Sequence, residues 1–321
     1  MRNVESIVVV DVSRFRYGMG LSSWSCCGCT TFGVAVGKMD CKGGATCEVL
    51  LCKRKIEFMN QVRAKKALVQ HFLTDLNIAR KICFSLSGGE AAEPVKVLEV
   101  GCGMGVLTQF LLQRDDIVTY GAEIDSESVE YLHEHYPDFA PRLIEGDFLK
   151  MDLREKFGQE VKVIGNFPYN ISSQIFFKII ENRDIVPECV GMIQKEVAVR
   201  IAEPPGSREY GILSVLLQAW YDIEYLFTVG EKVFNPPPKV KSAVIRLTRN
   251  STITLGCDET LFVKVVKASF GQRRKMLRNS LRSVFGDFGG AEHRFFTERA
   301  EKLSVQDFVE LTNWVAENKK S

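Results

Sequence analysis

One stretch restricts the fold more than any other: Val95-Lys-Val-Leu-Glu-Val100, then Gly101-Cys-Gly-Met-Gly105, then Val106-Leu-Thr-Gln-Phe-Leu-Leu112. The first piece reads as a short buried strand and the last has helical spacing. The glycines between them let the backbone approach a ligand closely, so the unit reads as a nucleotide-cofactor loop. The pattern is Gly-x-Gly-x-Gly, with Val106 where a dinucleotide fingerprint has the Gly that packs around a pyrophosphate. Glu99, two residues before the first glycine, is also unlike a pyrophosphate site. An acid there suits a cationic ligand, such as the sulfonium and amino group of S-adenosylmethionine. Glu99, Gly101 and Gly103 are therefore candidate cofactor contacts.

The alternation continues. Ile117–Ile124 reads as a second strand, with Glu123 near its end and 22 residues after Gly101, where an acid can take both ribose hydroxyls. Arg142–Glu145 reads as a third short strand running into Gly146-Asp147-Phe148, and Asp147 could accept a hydrogen bond from the cofactor's adenine. Taken singly, each acid could be a solvated strand-end residue. Both fall at the ends of consecutive β-α units, which favours binding. Further strands are expected near 161–165 and 188–193, an antiparallel pair at Ile223–Val229 and Ser242–Leu247, and a first helix over Asp75–Leu86 capped by Thr74. The fold class this predicts is α/β: a doubly wound, Rossmann-like methyltransferase sheet, with a small C-terminal helical domain over 255–316.

After the apolar run Val161–Gly165 comes Asn166-Phe167-Pro168-Tyr169. This turn suits methylation of an exocyclic base amine, whose lone pair is delocalised into the ring. An Asn side-chain oxygen and a carbonyl near the Pro can each accept one amine hydrogen, which favours a more localised lone pair. An aromatic ring beside them can stack on a flipped base. The same tetrapeptide also reads as a strand-to-helix turn, rigidified by Pro and capped by Asn.

Net charge is only +2, so affinity for a nucleic acid has to come from local patches. From Lys264 to Arg282 there are seven Lys or Arg and no Asp or Glu. A solvated helix face commonly mixes signs, so phosphate contacts are the favoured reading for Lys267, Arg273, Arg274, Lys275 and Arg278. Lys239 and Lys241 extend the basic surface beside Pro236-Pro237-Pro238.

Residues 1–58 differ from the rest. They hold six of the ten cysteines without a paired Cys-x-x-Cys arrangement, and neither a secretory signal nor an organelle presequence is evident. This segment is expected to be a disordered extension or a start-site artefact, with translation beginning at Met59. A native peptide from residues 20–50, found by mass spectrometry, would refute that. The catalytic domain is then expected over 59–250 and an RNA-binding helical domain over 251–321. No apolar run is long enough for a membrane span, and the expected location is the bacterial cytoplasm.

Seven stretches in order and spacing carry a close resemblance. They are Lys65–Leu73, Leu98–Gly105, Glu123-Ile-Asp125, Glu145–Phe148, Gly165–Ile171, Val233–Val240 and Phe270–Lys275. Residues 62–318 resemble the ribosomal RNA adenine dimethyltransferase family (KsgA-type). The resemblance implies S-adenosylmethionine as cofactor and dimethylation of two adjacent adenines near the 3′ end of small-subunit (16S) rRNA. The implied partner is an immature ribosomal particle, with the protein a monomer, no membrane and no metal. His71 and Leu73 would lie against the cofactor, with Phe72 a core residue. Asn166 would also lie beside the cofactor. Asn166, Pro168 and Tyr169 would handle the target adenine, with Phe234 as a second wall. Two departures stand out: Val69, where the family usually has Gly, and Cys102, where bacterial members often have Pro. A DNA adenine methyltransferase and a non-catalytic ribosome assembly factor are the rival readings.

Overall fold

The computed structural model describes residues 71–90 and 92–319. The extension 1–58 with its six cysteines, the Met59 start and Val69 lie outside the described residues.

Seven strands form one sheet: β2 (Val95–Val100), β3 (Ile117–Glu123), β4 (Leu143–Glu145), β5 (Lys162–Asn166), β6 (Glu188–Gln194), β7 (Tyr221–Val229) and β9 (Ser242–Arg249). Their order is β4-β3-β2-β5-β6-β9-β7. The first five are parallel, and β9 and β7 close the edge in antiparallel fashion. A separate two-stranded ribbon joins β1 (Phe72–Leu73) to β8 (Phe234–Asn235), pairing Phe72 with Asn235 and Leu73 with Phe234.

Strand residues alternate between two cores, as the two-residue period requires when both faces are covered. Leu98, Val163, Cys189 and Ile245 enter one core. Their neighbours Val97, Ile164, Val190 and Val244 enter the other. The second core is covered by α1 (Leu76–Cys83) and α2 (Thr108–Leu111), through Ala79, Ile82 and Leu111. The first is covered by α4 (Leu153–Phe157), α5 (Ser172–Glu181), α6 (Lys195–Ala202) and α7 (Ile212–Gln218). The remaining crossover helix, α3 (Ser126–His135), begins at the Asp125 cap.

Two local details differ from what the sequence suggests. The first helix is capped by Asp75, whose Oδ1 accepts the amides of Asn77 and Ile78 at 2.9 and 3.1 Å. Thr74 instead donates through N and Oγ1 to the Val233 carbonyl, tying the chain to the ribbon. The helix after the glycine loop begins only at Thr108, because Gly103 and Gly105 take φ of +52° and +78°, outside right-handed helical space.

The C-terminal part has three helices: α8 (Glu259–Gly271), α9 (Leu277–Phe285) and α10 (Val305–Asn318). A reciprocal capping box between Ser304 and Asp307 starts α10. Phe262, Leu281 and Phe308 share one core with Leu216 and Trp220 of the sheet region, so the architecture changes near residue 250 without a break in the core. Among the described residues, no helix is long and apolar enough to cross a membrane.

Candidate functional site

The chain winds from β2 outward to β4 in one direction and from β5 to β6 in the other. The crevice above β2 and β5 is where such a sheet binds ligands. A cavity opens there. It is lined by the β2 loop, the ends of β3 and β4, the turn after β5, and the strap His71–Leu73. Its walls bring together His71, Leu73, Glu99, Gly101, Gly103, Glu123, Asp147, Asn166, Pro168 and Tyr169.

The glycine loop takes its shape from backbone freedom. Gly101, Gly103 and Gly105 all have positive φ, and a Cβ on Gly105 would meet the Tyr136 ring at 2.7 Å. Glu123, at the end of β3, accepts the Gly103 amide at 2.8 Å through one oxygen. Its other oxygen accepts the amides of Ile124 and Asp125 at 2.8 and 2.9 Å. Burial raises the Glu123 carboxyl above its ordinary range, and these amides oppose the shift. Oε1 is thus filled by two amides, and Oε2, with one, keeps acceptor capacity for a hydroxyl.

Glu99 is 1% exposed, and the Thr108 hydroxyl donates to its Oε2 at 2.6 Å. Burial pushes this carboxyl up to about 8; the Thr108 bond pulls it down, and nearby Glu123 adds to the rise. Glu99 therefore holds its proton near neutrality until a cation compensates it. Asp147 accepts the Leu149 amide at 2.9 Å through Oδ1 as it begins a short 3-10 turn. Burial pushes the Cys102 thiol well up, so it is not a reactive thiolate. Among the described residues, no group of three or more His, Cys, Asp or Glu is placed to hold a metal ion.

At the other end of the cavity, Asn166 ends β5 and donates its side-chain N–H to the His71 carbonyl at 3.1 Å. A planar amide held this way turns its oxygen to the opposite side. The Tyr169 hydroxyl is 2.6 Å from Ser242 Oγ, and its ring lies 5.5 Å from the His71 ring, tilted by 31°. Burial raises the Tyr169 phenol, with the Ser242 bond opposing. The phenol oxygen is thus tied to β9.

Two aromatic assignments change. Phe234 is 4% exposed, sits in the core with Leu73 and Val244, and is not part of the cavity wall. Its pairing with Leu73 across the ribbon puts it inside, so as it stands it offers no face to a base. Phe72, expected in the core, lines the cavity, its ring 3.2 Å from where a Cβ on Gly103 would lie.

Sequence reading missed Thr108, Ser242 and Ile124. Ile124 is 53% exposed and lines the cavity beside Glu123, where it offers an apolar face. Its signal was an apolar residue directly after a strand-end acid. The two hydroxyls gave no comparable signal, since each acts through a partner brought close only by folding.

The basic run also folds differently from a uniform patch. A break at 272–276 separates α8 from α9. Arg278 pairs with Glu292, Arg282 lies 3.2 Å from Asp287, and Arg273 lies 3.9 Å from Glu301 while donating to the Arg208 carbonyl. Lys267 stands 5.2 Å over the Phe177 ring. Arg274 and Lys275 are exposed in the break, and Lys239 and Lys241 are exposed beside the proline turn.

Known proteins resemble this chain in sequence and in fold. A sequence profile described as Ribosomal RNA adenine dimethylase matches residues 61–317. A Bacteroides thetaiotaomicron protein named Ribosomal RNA small subunit methyltransferase A is 58% identical over 261 residues, covering 81% of this chain and 96% of that one. A Porphyromonas gingivalis protein of the same name is 56% identical over 257 residues, covering 79% and 98%. A dimethyladenosine transferase from Plasmodium falciparum has the same fold, with TM-score 0.63 and 24% identity over 77% of this chain and 98% of that chain. With the profile spanning most of the sequence and relatives this similar matched over nearly their full length, the chain belongs to the ribosomal RNA adenine dimethylase family.

Proposed function

We propose that this protein dimethylates the N6 amines of two adjacent adenines near the 3′ end of small-subunit (16S) rRNA, using S-adenosylmethionine. The observation that carries this reading is the Asn166 amide. Its N–H is taken by the His71 carbonyl, which leaves its oxygen to accept a hydrogen from an incoming amine at the mouth of the cavity. The names of the relatives, which specify a small-subunit ribosomal RNA methyltransferase, agree with it.

The cavity residues fit the cofactor. Among the described residues no cation is hydrogen-bonded to the buried acid Glu99, Glu123 has spare acceptor capacity, and Ile124 offers an apolar face for a base. Glu123 would hold the ribose hydroxyls, Asp147 the adenine amine, and the loop Gly101–Gly105 the methionine portion, with Leu73 closing over it. When bound, S-adenosylmethionine supplies a methyl group already activated by its sulfonium, so the transfer needs no protein nucleophile.

The protein's own work is orientation and exclusion of water. Asn166 Oδ1 and the carbonyl at Pro168 accept the two amine hydrogens and hold the nitrogen in line. Tyr169, tied by its hydroxyl to Ser242, presents a ring on which the flipped adenine stacks. Lys239, Lys241, Lys267, Arg274 and Lys275 carry the phosphate contacts. Arg273 and Arg278, engaged with Glu301 and Glu292, contribute less. The substrate is rRNA within an immature particle, on which the protein acts as a monomer.

The test is transfer of tritiated methyl groups to small subunits lacking the modification, with duplex DNA as control. Label recovered as dimethyladenosine from rRNA alone is expected. No label, or label in DNA, overturns the reading.

A further inference from the structure

Three contacts meet at His71. Its carbonyl accepts the Asn166 amide N–H at 3.1 Å. Its Nδ1 lies 2.8 Å from the Pro236 carbonyl oxygen; since a carbonyl only accepts, Nδ1 carries the proton. Its ring lies 5.5 Å from that of Tyr169. The residue joins the strap over the cofactor cavity, the turn after β5 and the proline turn after β8.

The first contact settles which way the Asn166 amide faces. An amide turned over would set its oxygen against the His71 carbonyl, acceptor against acceptor, and would present N–H groups to an amine that needs acceptors. The orientation is therefore chosen by a main-chain oxygen, and that oxygen is only as well placed as the strap carrying it. At Thr74 the strap is tied by two bonds to the Val233 carbonyl. At residue 71 the side-chain tie is the imidazole on Pro236.

We propose that His71 is a positioning residue for the target amine: its imidazole anchors on the Pro236 carbonyl and thereby holds its own carbonyl against the Asn166 amide. This rests on Asn166 receiving the amine, as argued above. It is separate from any contact the ring makes with the cofactor through Nε2, because it uses only the Nδ1–H bond to the proline turn. It also differs from proton transfer by the imidazole, because the role needs only a fixed N–H donor.

Asn is the informative replacement. Its side-chain N–H occupies the place of Nδ1–H, and it does not titrate. Single-turnover methyl transfer to unmodified small subunits at saturating S-adenosylmethionine is compared with cofactor affinity by calorimetry. In His71→Ala the transfer rate falls about a hundredfold, the scale of an ångström-level misplacement, while cofactor affinity changes far less. His71→Phe, which keeps a ring without the donor, behaves like His71→Ala and covers the case in which the Ala variant folds poorly. His71→Asn recovers most of the rate.

Full activity in His71→Phe, no recovery in His71→Asn, or a loss confined to cofactor affinity would each overturn the inference. In an Asn166→Ala background, His71→Ala adds no further loss. If it slows that variant by the same factor again, the inference fails alone. If Asn166→Ala itself turns over normally, the reading of Asn166 fails.

Discussion

The Thr108 hydroxyl donates to Glu99 Oε2 at 2.6 Å, beneath a glycine loop that leaves Glu99 1% exposed. Hydrogen bonding from neutral groups, Thr108 foremost, does not offset the loss of water around a carboxylate, so the group is raised from its ordinary 4.5 to about 8. The folded protein thus binds a proton there more tightly than the unfolded chain does. The stability linked to it is fully present below about 4.5 and is lost as pH rises through about 8.

Glu99→Gln should therefore stabilise the cofactor-free protein most at alkaline pH. The gain should be on the order of a few kcal/mol at pH 9 and fade toward pH 5. Thermal melts of both proteins across that range check it. A constant difference at every pH would mean that Glu99 does not titrate there.

The same proton governs cofactor affinity. A sulfonium ligand prefers the carboxylate, so binding to the wild type should tighten as pH rises toward about 8 and release a proton. Glu99→Gln should bind more weakly and lose this pH dependence. Calorimetry in two buffers of different ionisation heat measures the proton directly.

The glycine loop and the acids at the ends of β3 and β4 were legible because each is a local pattern: a strand, a turn and a helix start within about a dozen residues. The fate of Phe234 was not, because it depends on pairing with Leu73, far away in sequence. The basic run misled for a related reason. It contains no acid of its own, but Glu292, Asp287 and Glu301 fold back onto it. Thr108 and Ser242 were invisible for want of any pattern: a hydroxyl matters here only through the atom opposite it.

Gly105 tests the loop geometry. At φ +78° a side chain is strained, and a Cβ would press on the Tyr136 ring at 2.7 Å. Gly105→Ala should cost about 1–3 kcal/mol and weaken cofactor binding more than RNA binding. Gly158 also has positive φ, at +63°, but among the described residues nothing lies within 4 Å of its Cβ position. Gly158→Ala should cost stability alone, and unfolding curves with cofactor titrations separate the two.

Tyr169 and Ser242 should act as one unit. Tyr169→Phe keeps the stacking ring but loses the hydroxyl, and Ser242→Ala removes its partner, which is fully buried. Each should slow single-turnover methylation by about fivefold, the scale of one hydrogen bond, and the double variant should be no slower than either. Additive losses would mean that the two positions act independently.

Arg274 and Lys275 lie exposed in the break between α8 and α9, while Arg278 faces Glu292. An arginine already held by a carboxylate has little charge left to replace counterions on a phosphate. Replacing Arg274 and Lys275 together with Ala should weaken binding to small subunits and flatten the slope of log affinity against log salt by about 1 to 2. Arg278→Ala should leave that slope nearly unchanged, because an arginine held by Glu292 displaces no counterion from a phosphate. If the Arg278 variant flattens the slope as much as the double one, the Arg278–Glu292 pair opens on RNA, and the arginine, not its acid partner, faces the phosphate.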